Sequence, residues 1–202
     1  FAAGMPSEYK FNGGDAIYED INHDGNINEL DIVYLGNSNP FFNGGMSLRF
    51  NYKRLSANIF SNFRVGNKVV NMARMYAENM YSNNNQAASV NWRWRKDGDV
   101  TNIPRALYQN GFNWLGSDRY VEDGSFFRIK NIQINYTLDP EKVKMVHLSQ
   151  VNLYLTINNL VTITKYSGVD PEVNYGALGG VSTDNSQTPR SHSFTAGISV
   201  NF

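Results

Sequence analysis

Cysteine is absent from the 202 residues, which excludes disulfides and thiolate metal sites without fixing a compartment. No uninterrupted run of roughly 18 apolar residues occurs, so a transmembrane helix is ruled out. A β-barrel remains open, because its strands present apolar side chains to lipid only at every second position. An excess of charge is missing too: 18 basic residues balance 18 acidic ones, leaving no net field to favour nucleic acid or an anionic membrane surface. Signatures of catalysis are equally scarce. His147 and His192 have no nucleophile at an informative spacing, no phosphate-cradling glycine loop is found, and Glu122-Asp123 runs into Gly124 as a turn. The chain is therefore not expected to be an enzyme. It starts at Phe1 without a charged n-region or an apolar h-region, as expected of an excerpt lacking a signal peptide.

What is present is alternation. In the final stretch, Arg190 to Phe202, residues Phe194, Ala196, Ile198, Val200 and Phe202 share one face of an extended strand, opposite Ser193, Thr195, Gly197, Ser199 and Asn201. Earlier segments repeat the pattern at similar length. Gly44 to Tyr52 and Leu55 to Val65, joined at Lys53-Arg54, predict a hairpin long enough to cross a bilayer core at a tilt. Ser125 to Leu138 changes phase midway, with Phe127 and Ile129 on one parity and Ile132, Ile134 and Tyr136 on the other, which predicts a β-bulge near Lys130-Asn131. Asp139-Pro140 breaks that strand, Glu141 to Ser149 is a compact connection, and Gln150 to Thr164 alternates again. Twelve Tyr and twelve Phe suit aromatic girdles, although an aromatic-rich extracellular sandwich has a similar composition. Alternately short and long connections between such strands predict an all-β, antiparallel transmembrane barrel segment of about five strands. A soluble, calcium-stabilised β-sandwich for adhesion or glycan binding is the alternative, and it would bury the apolar rows that a barrel exposes.

Near the start, Asp20 to Asp31 spells DINHDGNINELD, with oxygen-bearing side chains at the first, third, fifth, ninth and twelfth positions and glycine at the sixth. That is the spacing of a twelve-residue calcium loop, in which a sharp turn aims alternate hard oxygen ligands inward. The candidate ligands are Asp20, Asn22, Asp24, the carbonyl of Asn26, Asn28 through water, and Asp31, with Ca²⁺ in a structural role. A polar turn without metal is the other reading. Asp31 stands where the EF-hand has Glu, an ending shared with dockerin-type loops, and His23 falls at a solvent-facing position.

Between Gly66 and Asp123 lies a long excursion. Lys68 to Tyr81 has helical spacing, and Val90 to Arg95 has the alternation of a short strand. Trp92, Trp94, Trp114, Tyr108 and Tyr120 could stack on sugar rings or peptide side chains in a binding vestibule, or pack the loop onto itself. Arg93, Arg95 and Lys96 among the tryptophans do not point to nucleic acid, because Asp97 and Asp99 offset their charge. Tyr166 to Pro189 is a second long polar loop.

The calcium-type loop at Gly14 to Asp31, RIKNIQINYTL at Arg128 to Leu138, NLYLTINNLVTITKYSGVDPEVN at Asn152 to Asn174 and the tail TAGISVNF together resemble the C-terminal end of SusC/RagA-type TonB-dependent outer-membrane transporters. The resemblance covers nearly all the chain. It implies a family barrel of 22 strands, of which this chain carries about five, without the plug or the N-terminal strands. It implies a periplasmic C-terminus and extracellular long loops. Import of glycans or peptides is expected, with a SusD-like surface lipoprotein as lid, a TonB complex acting through the missing N-terminal part, and outer-membrane lipid around the strands. Residues Thr195 to Phe202 also look like the barrel-assembly signal of outer-membrane proteins.

Overall fold

A computed structural model describes residues 10–145, 147–173 and 181–202. In chain order its elements are β1 (Phe42–Tyr52), β2 (Leu55–Val65), β3 (Lys68–Asn71), α1 (Met72–Ala77), β4 (Val121–Asp123), β5 (Phe126–Thr137), α2 (Pro140–Lys144), β6 (Gln150–Thr164), β7 (Thr183–Asp184) and β8 (Ser193–Asn201). Short 3-10 turns cover Glu29–Asp31, Ala88–Trp92 and Asp118–Tyr120. The chain divides into two compact units, a sheet unit (Asn37–Val69, Asp123–Ser182 and Gln187–Phe202) and a loop unit (Phe1–Gly36, Val70–Glu122 and Thr183–Ser186). The expected strand or loop at Phe1 to Gly14 lies, as far as Tyr9, outside the described residues, as does the stretch 174–180.

In the sheet unit, β1, β2, β5, β6 and β8 pair antiparallel in that order. Register aligns the apolar positions across all five strands. One row runs Tyr52, Leu55, Tyr136, Leu153, Ile198; the next runs Phe50, Ala57, Ile134, Leu155, Ala196; a third runs Leu48, Ile59, Ile132, Ile157, Phe194. Between them lie polar rows: Asn51, Ser56, Asn135, Tyr154, Gly197, and Arg49, Asn58, Gln133, Thr156, Thr195. Because side chains alternate with a period of two, the sheet has one apolar and one polar face. In the polar row Gly197 makes room for Tyr154, whose hydroxyl would stand 2.3 Å from a Cβ built there.

The apolar face is open. Leu153 is 39% exposed, Ile198 66% and Phe194 67%. A sandwich would cover these rows with a second sheet, so the sandwich alternative does not hold. Strands β1 and β8 are the free edges of this sheet, which among the described residues is open and not closed into a barrel.

The predicted bulge is where the phase change puts it. Phe60 and Ser61 are adjacent on β2 but pair with Asn131 and Ile129, leaving Lys130 as the additional residue of β5. On β6 the register runs from Asn158 to Val161, so Asn159, held at φ 52°, and Leu160 lie opposite Lys130. The interruption that Asn159 makes in the apolar parity is therefore this irregularity, and Val161 re-enters the apolar face opposite Ile129.

Both long connections leave from one end of the sheet and both short ones from the other. Across the short end, Arg54 pairs with Asp139 at 2.7 Å and the Thr137 N–H donates to the Arg54 carbonyl at 2.9 Å. The Asp139 carboxylate caps α2 through the Glu141 N–H, with Pro140 at the first turn, where its missing N–H costs nothing.

Two expectations for the long excursion are corrected. Lys68–Asn71 is a strand, not the start of a helix, and α1 is confined to Met72–Ala77. β-Branched Val69, fully buried with Tyr166 and Val173, favours the extended backbone, and the Asn71 side chain accepts from the Arg74 N–H as the N-cap that begins α1. Val90 to Arg95 is not a strand either, since Ala88–Trp92 is a 3-10 turn. Its Val90 is the single inward anchor, packed with Met80 and Ile103, and one inward residue does not need strand geometry.

Candidate functional site

The loop unit is built around a few charge-assisted clamps. Arg105, 90 residues from Asp15 in sequence, donates to Asp15 Oδ1 through Nε at 2.6 Å and to Oδ2 through Nη2 at 3.0 Å. Asn113 Nδ2 adds a bond to Asp15 Oδ1 at 3.1 Å, and the Arg105 N–H donates to the Gly14 carbonyl at 2.8 Å. A second network joins Glu78 to Arg119 at 2.7 Å and to Arg74 at 3.1 Å, while Arg74 also reaches Glu122 at 3.2 Å. Burial pushes the Glu78 carboxyl upward, but hydrogen bonds from Arg119 and Arg74 outweigh it and hold the group below the usual carboxylate range. The ring of buried Tyr120 lies under both guanidinium groups, 5.7 Å from Arg119 and 5.9 Å from Arg74.

These clamps border a cleft of about 290 Å³, whose walls include Gly14, Tyr18, Trp94, Asn102, Ser117 and Tyr120. The Gly13–Gly14 backbone lies against the Trp94 indole. Gly14 has φ 84°, and a Cβ there would stand 2.3 Å from Trp94 Cδ2, so this position needs glycine on both counts. The Trp94 N–H donates to the Ile103 carbonyl at 2.9 Å, fixing the residue that carries the ring. The Tyr18 hydroxyl donates to the Phe112 carbonyl at 2.9 Å. Burial, reinforced by Tyr120 nearby, pushes its pKa up to about 12, and burial also raises that of Tyr120. Both phenols stay protonated at physiological pH.

Of the five aromatic residues singled out in the sequence, Trp94 and Tyr120 line this cleft. Trp114 packs on Tyr81 with ring centroids 5.2 Å apart and donates its indole N–H to the Gly111 carbonyl at 3.1 Å. Trp92 and Tyr108 are exposed and lie outside the cleft. Tyr18, Gly14 and Arg119 were not singled out. The glycine pair before Asp15 was a usable signal for close backbone approach, but nothing local marks Tyr18.

In the calcium-type loop, the backbone turns at His23 (φ 59°) and Gly25 (φ 82°). Asp20 accepts from the N–H groups of Asp24 at 3.2 Å and Gly25 at 2.8 Å, and Asp31 accepts from Ile21 at 2.9 Å and Asn28 at 2.7 Å. Asn22 Nδ2 and the Asn26 N–H donate to the Asp24 carboxylate, lowering its pKa. Among the described residues no group of three His, Cys, Asp or Glu side chains is gathered as a metal centre. The donor set is nevertheless all oxygen, carboxylates with Asn amides and a main-chain carbonyl, and its chemistry fits a hard cation.

In the sheet unit, Arg128 projects from the polar face of β5 and is 2% exposed. It bridges Asp170 at 2.5 Å and Glu172 at 2.8 Å, and Arg190 joins Glu172 at 2.9 Å. The GVDPE stretch after β6 is thereby tied to the sheet.

No protein-family model matches the chain. It is 31% identical over 197 residues to TonB-dependent receptor P26 of Formosa agariphila, an alignment covering 94% of this chain and 20% of the relative. It is 26% identical over 145 residues to TonB-dependent receptor SusC of Bacteroides thetaiotaomicron, covering 71% of this chain and 12% of that protein. Among solved structures it is similar to the RagAB peptide transporter, with 29% identity and a TM-score of 0.67, over 82% of this chain and 17% of the other. The chain spans about a fifth of the length of the curated relatives it matches. These relatives are receptors and transporters rather than enzymes.

Proposed function

The chain is a segment of a SusC/RagA-type TonB-dependent transporter, and from that premise we propose that the whole protein imports glycans or peptides across the outer membrane. In this reading a SusD-like surface lipoprotein captures cargo, a TonB complex supplies the energy, and this segment contributes barrel strands and extracellular loops. The observation that carries it is the register: three apolar rows cross all five strands on one exposed face, the side a barrel turns to lipid, while Asn, Thr, Ser and Arg fill the other. Short connections at one end and long ones at the other fit periplasmic turns and extracellular loops.

The cleft at Trp94 and Tyr120 is assigned to cargo contact. The loop at Asp20 to Asp31 is assigned to structural Ca²⁺, with Asp20, Asn22, Asp24, the Asn26 carbonyl, Asn28 and Asp31 as its holders. When bound, the ion supplies positive charge that ties these oxygens together; the chain's own part is to turn at Gly25 and to hold the oxygen donors within one short loop.

The test is topology joined to energy. A tag inserted near Gly98 should react with a membrane-impermeant label on intact cells, and one near Lys142 only after the outer membrane is permeabilised. Cargo uptake should stop when TonB is removed. Labelling of both tags on intact cells, or uptake independent of TonB, would refute the assignment.

A further inference from the structure

The loop-unit cleft is furnished with uncharged groups, although charged residues stand in its wall. Asp15 is saturated, with Oδ1 accepting from Arg105 and Asn113 and Oδ2 from Arg105 and the Asn12 N–H. Arg119 is neutralised by Glu78 at 2.7 Å. An anionic or cationic ligand therefore meets no exposed unpaired charge, and Arg119 Nε, which has no hydrogen-bond partner, is buried. Asn102, Ser117 and Trp94 line the same cleft, and their side chains make no hydrogen bond to another described residue. These are neutral donors and acceptors grouped beside an aromatic ring.

Shape narrows the occupant. At about 290 Å³ the cleft lies at the small end of ligand pockets, which run roughly 300–1,000 Å³. None of its lining residues belongs to a strand, so an extended peptide finds no sheet edge on which to pair its backbone. The indole, in contrast, is held as a flat wall. Gly13 and Gly14 back it, and the Arg105–Asp15 clamp holds Gly14 in place. The electron-rich face of an indole attracts the polarised C–H groups of a ring bearing hydroxyls.

We propose that this cleft binds one uncharged sugar ring of an oligosaccharide, stacked on Trp94 and hydrogen-bonded by Asn102 and Ser117, with Gly14 as the positioning residue for the indole. The proposal rests on the import reading above and names the cargo class for that site. Its consequence is selectivity: neutral glycans are accepted, and acidic glycans and peptides are not held here.

The experiment is calorimetric titration of the full-length transporter in detergent with maltohexaose, cellohexaose and mannohexaose, with hexagalacturonate, and with a pooled hexapeptide mixture. At least one neutral hexamer should bind. Trp94→Ala should weaken it tenfold or more, Trp94→Phe should recover part of the loss, and Trp92→Ala, outside the cleft, should leave it unchanged. Gly14→Ala should weaken it comparably by displacing the indole; if that variant fails to assemble, the Trp94 pair carries the test alone. Binding confined to hexagalacturonate or peptides, absence of binding by all three neutral hexamers, or neutral binding insensitive to Trp94→Ala would each overturn the proposal. TonB-dependent uptake of peptides alongside absent sugar binding would sink the sugar cleft and leave import standing, whereas mislocalisation of the wild-type protein from the outer membrane would sink both.

Discussion

Arg128 Nη2 lies 2.5 Å from Asp170 Oδ1, joining a strand of the sheet to a loop 42 residues further along. Arg128 also holds Glu172, and the N–H groups of Glu172 and Arg190 donate to the Asp170 carboxylate. Replacing Arg128 with Leu leaves two largely buried carboxylates without their main partner, a change that costs about 3–5 kcal/mol. The loop from Tyr166 to Pro189 should then become the first site of proteolysis in the assembled protein. Unchanged cleavage there would show that the cluster does not anchor the loop.

The same cluster sets a pH dependence. Burial pushes the Asp170 carboxyl up, but hydrogen bonds from Arg128 and the Glu172 N–H outweigh burial and hold it below its ordinary value. A carboxylate depressed in the folded state contributes stability above its unfolded pKa of about 3.9, and that contribution is lost as pH falls through the lower folded value. Protection of the loop in wild-type protein should therefore be constant from pH 7 to 5 and decline below about pH 4. In Asp170→Asn that acid-dependent decline should shrink. Hydrogen exchange across the loop measures both.

The apolar rows make a side-specific prediction. Ile157 sits between Ile132 and Phe194 on the exposed apolar face, and adjacent Thr156 sits between Gln133 and Thr195 on the polar one. Ile157→Arg should cost about 2–4 kcal/mol if the face meets the bilayer midplane, and should reduce the heat-modifiable folded band in outer-membrane fractions. Thr156→Arg should be tolerated. Equal defects in the two variants would mean that the two faces do not differ in environment.

The sheet was legible in the sequence because a period of two survives any tertiary context that gives a strand two unlike faces. Even the bulge at Lys130 announced itself, since one additional residue reverses the parity of Phe127 and Ile129 relative to Ile132. The loop unit was not legible in this way. Its geometry depends on pairs such as Arg105 and Asp15, 90 residues apart, and no local pattern connects them. Helical spacing at Lys68 to Tyr81 misled because Val69 is buried as a strand residue and Asn71 caps the helix late. Trp94 is set apart from Trp92 by contacts distant in sequence, among them Gly14, which lies against one ring and not the other.

The clamp at Asp15 can be tested apart from any ligand. Asp15 has 2% side-chain exposure and takes two bonds from Arg105, so Arg105→Ala should cost about 3 kcal/mol of local stability. Hydrogen exchange at Ala16, whose N–H donates to Asn113 Oδ1 at 2.8 Å, should accelerate in that variant. Exchange across β5 and β6 should stay at the wild-type rate.

Chelation addresses the loop at Asp20 to Asp31. There the carboxylates already accept from main-chain N–H groups, so the turn has internal support without an ion, and a bound cation adds cross-links between its two ends. Removing Ca²⁺ from the purified transporter should speed proteolysis between Asn22 and Asn28, and readdition should reverse it, whereas Mg²⁺, which demands tighter octahedral geometry, should restore less. Asp20→Ala should behave as the chelated protein at any calcium concentration, because Asp20 bonds to both Asp24 and Gly25 and also stands first among the oxygen donors. Cleavage unaffected by chelator, with Asp20→Ala still labile, would assign the loop to hydrogen bonding alone.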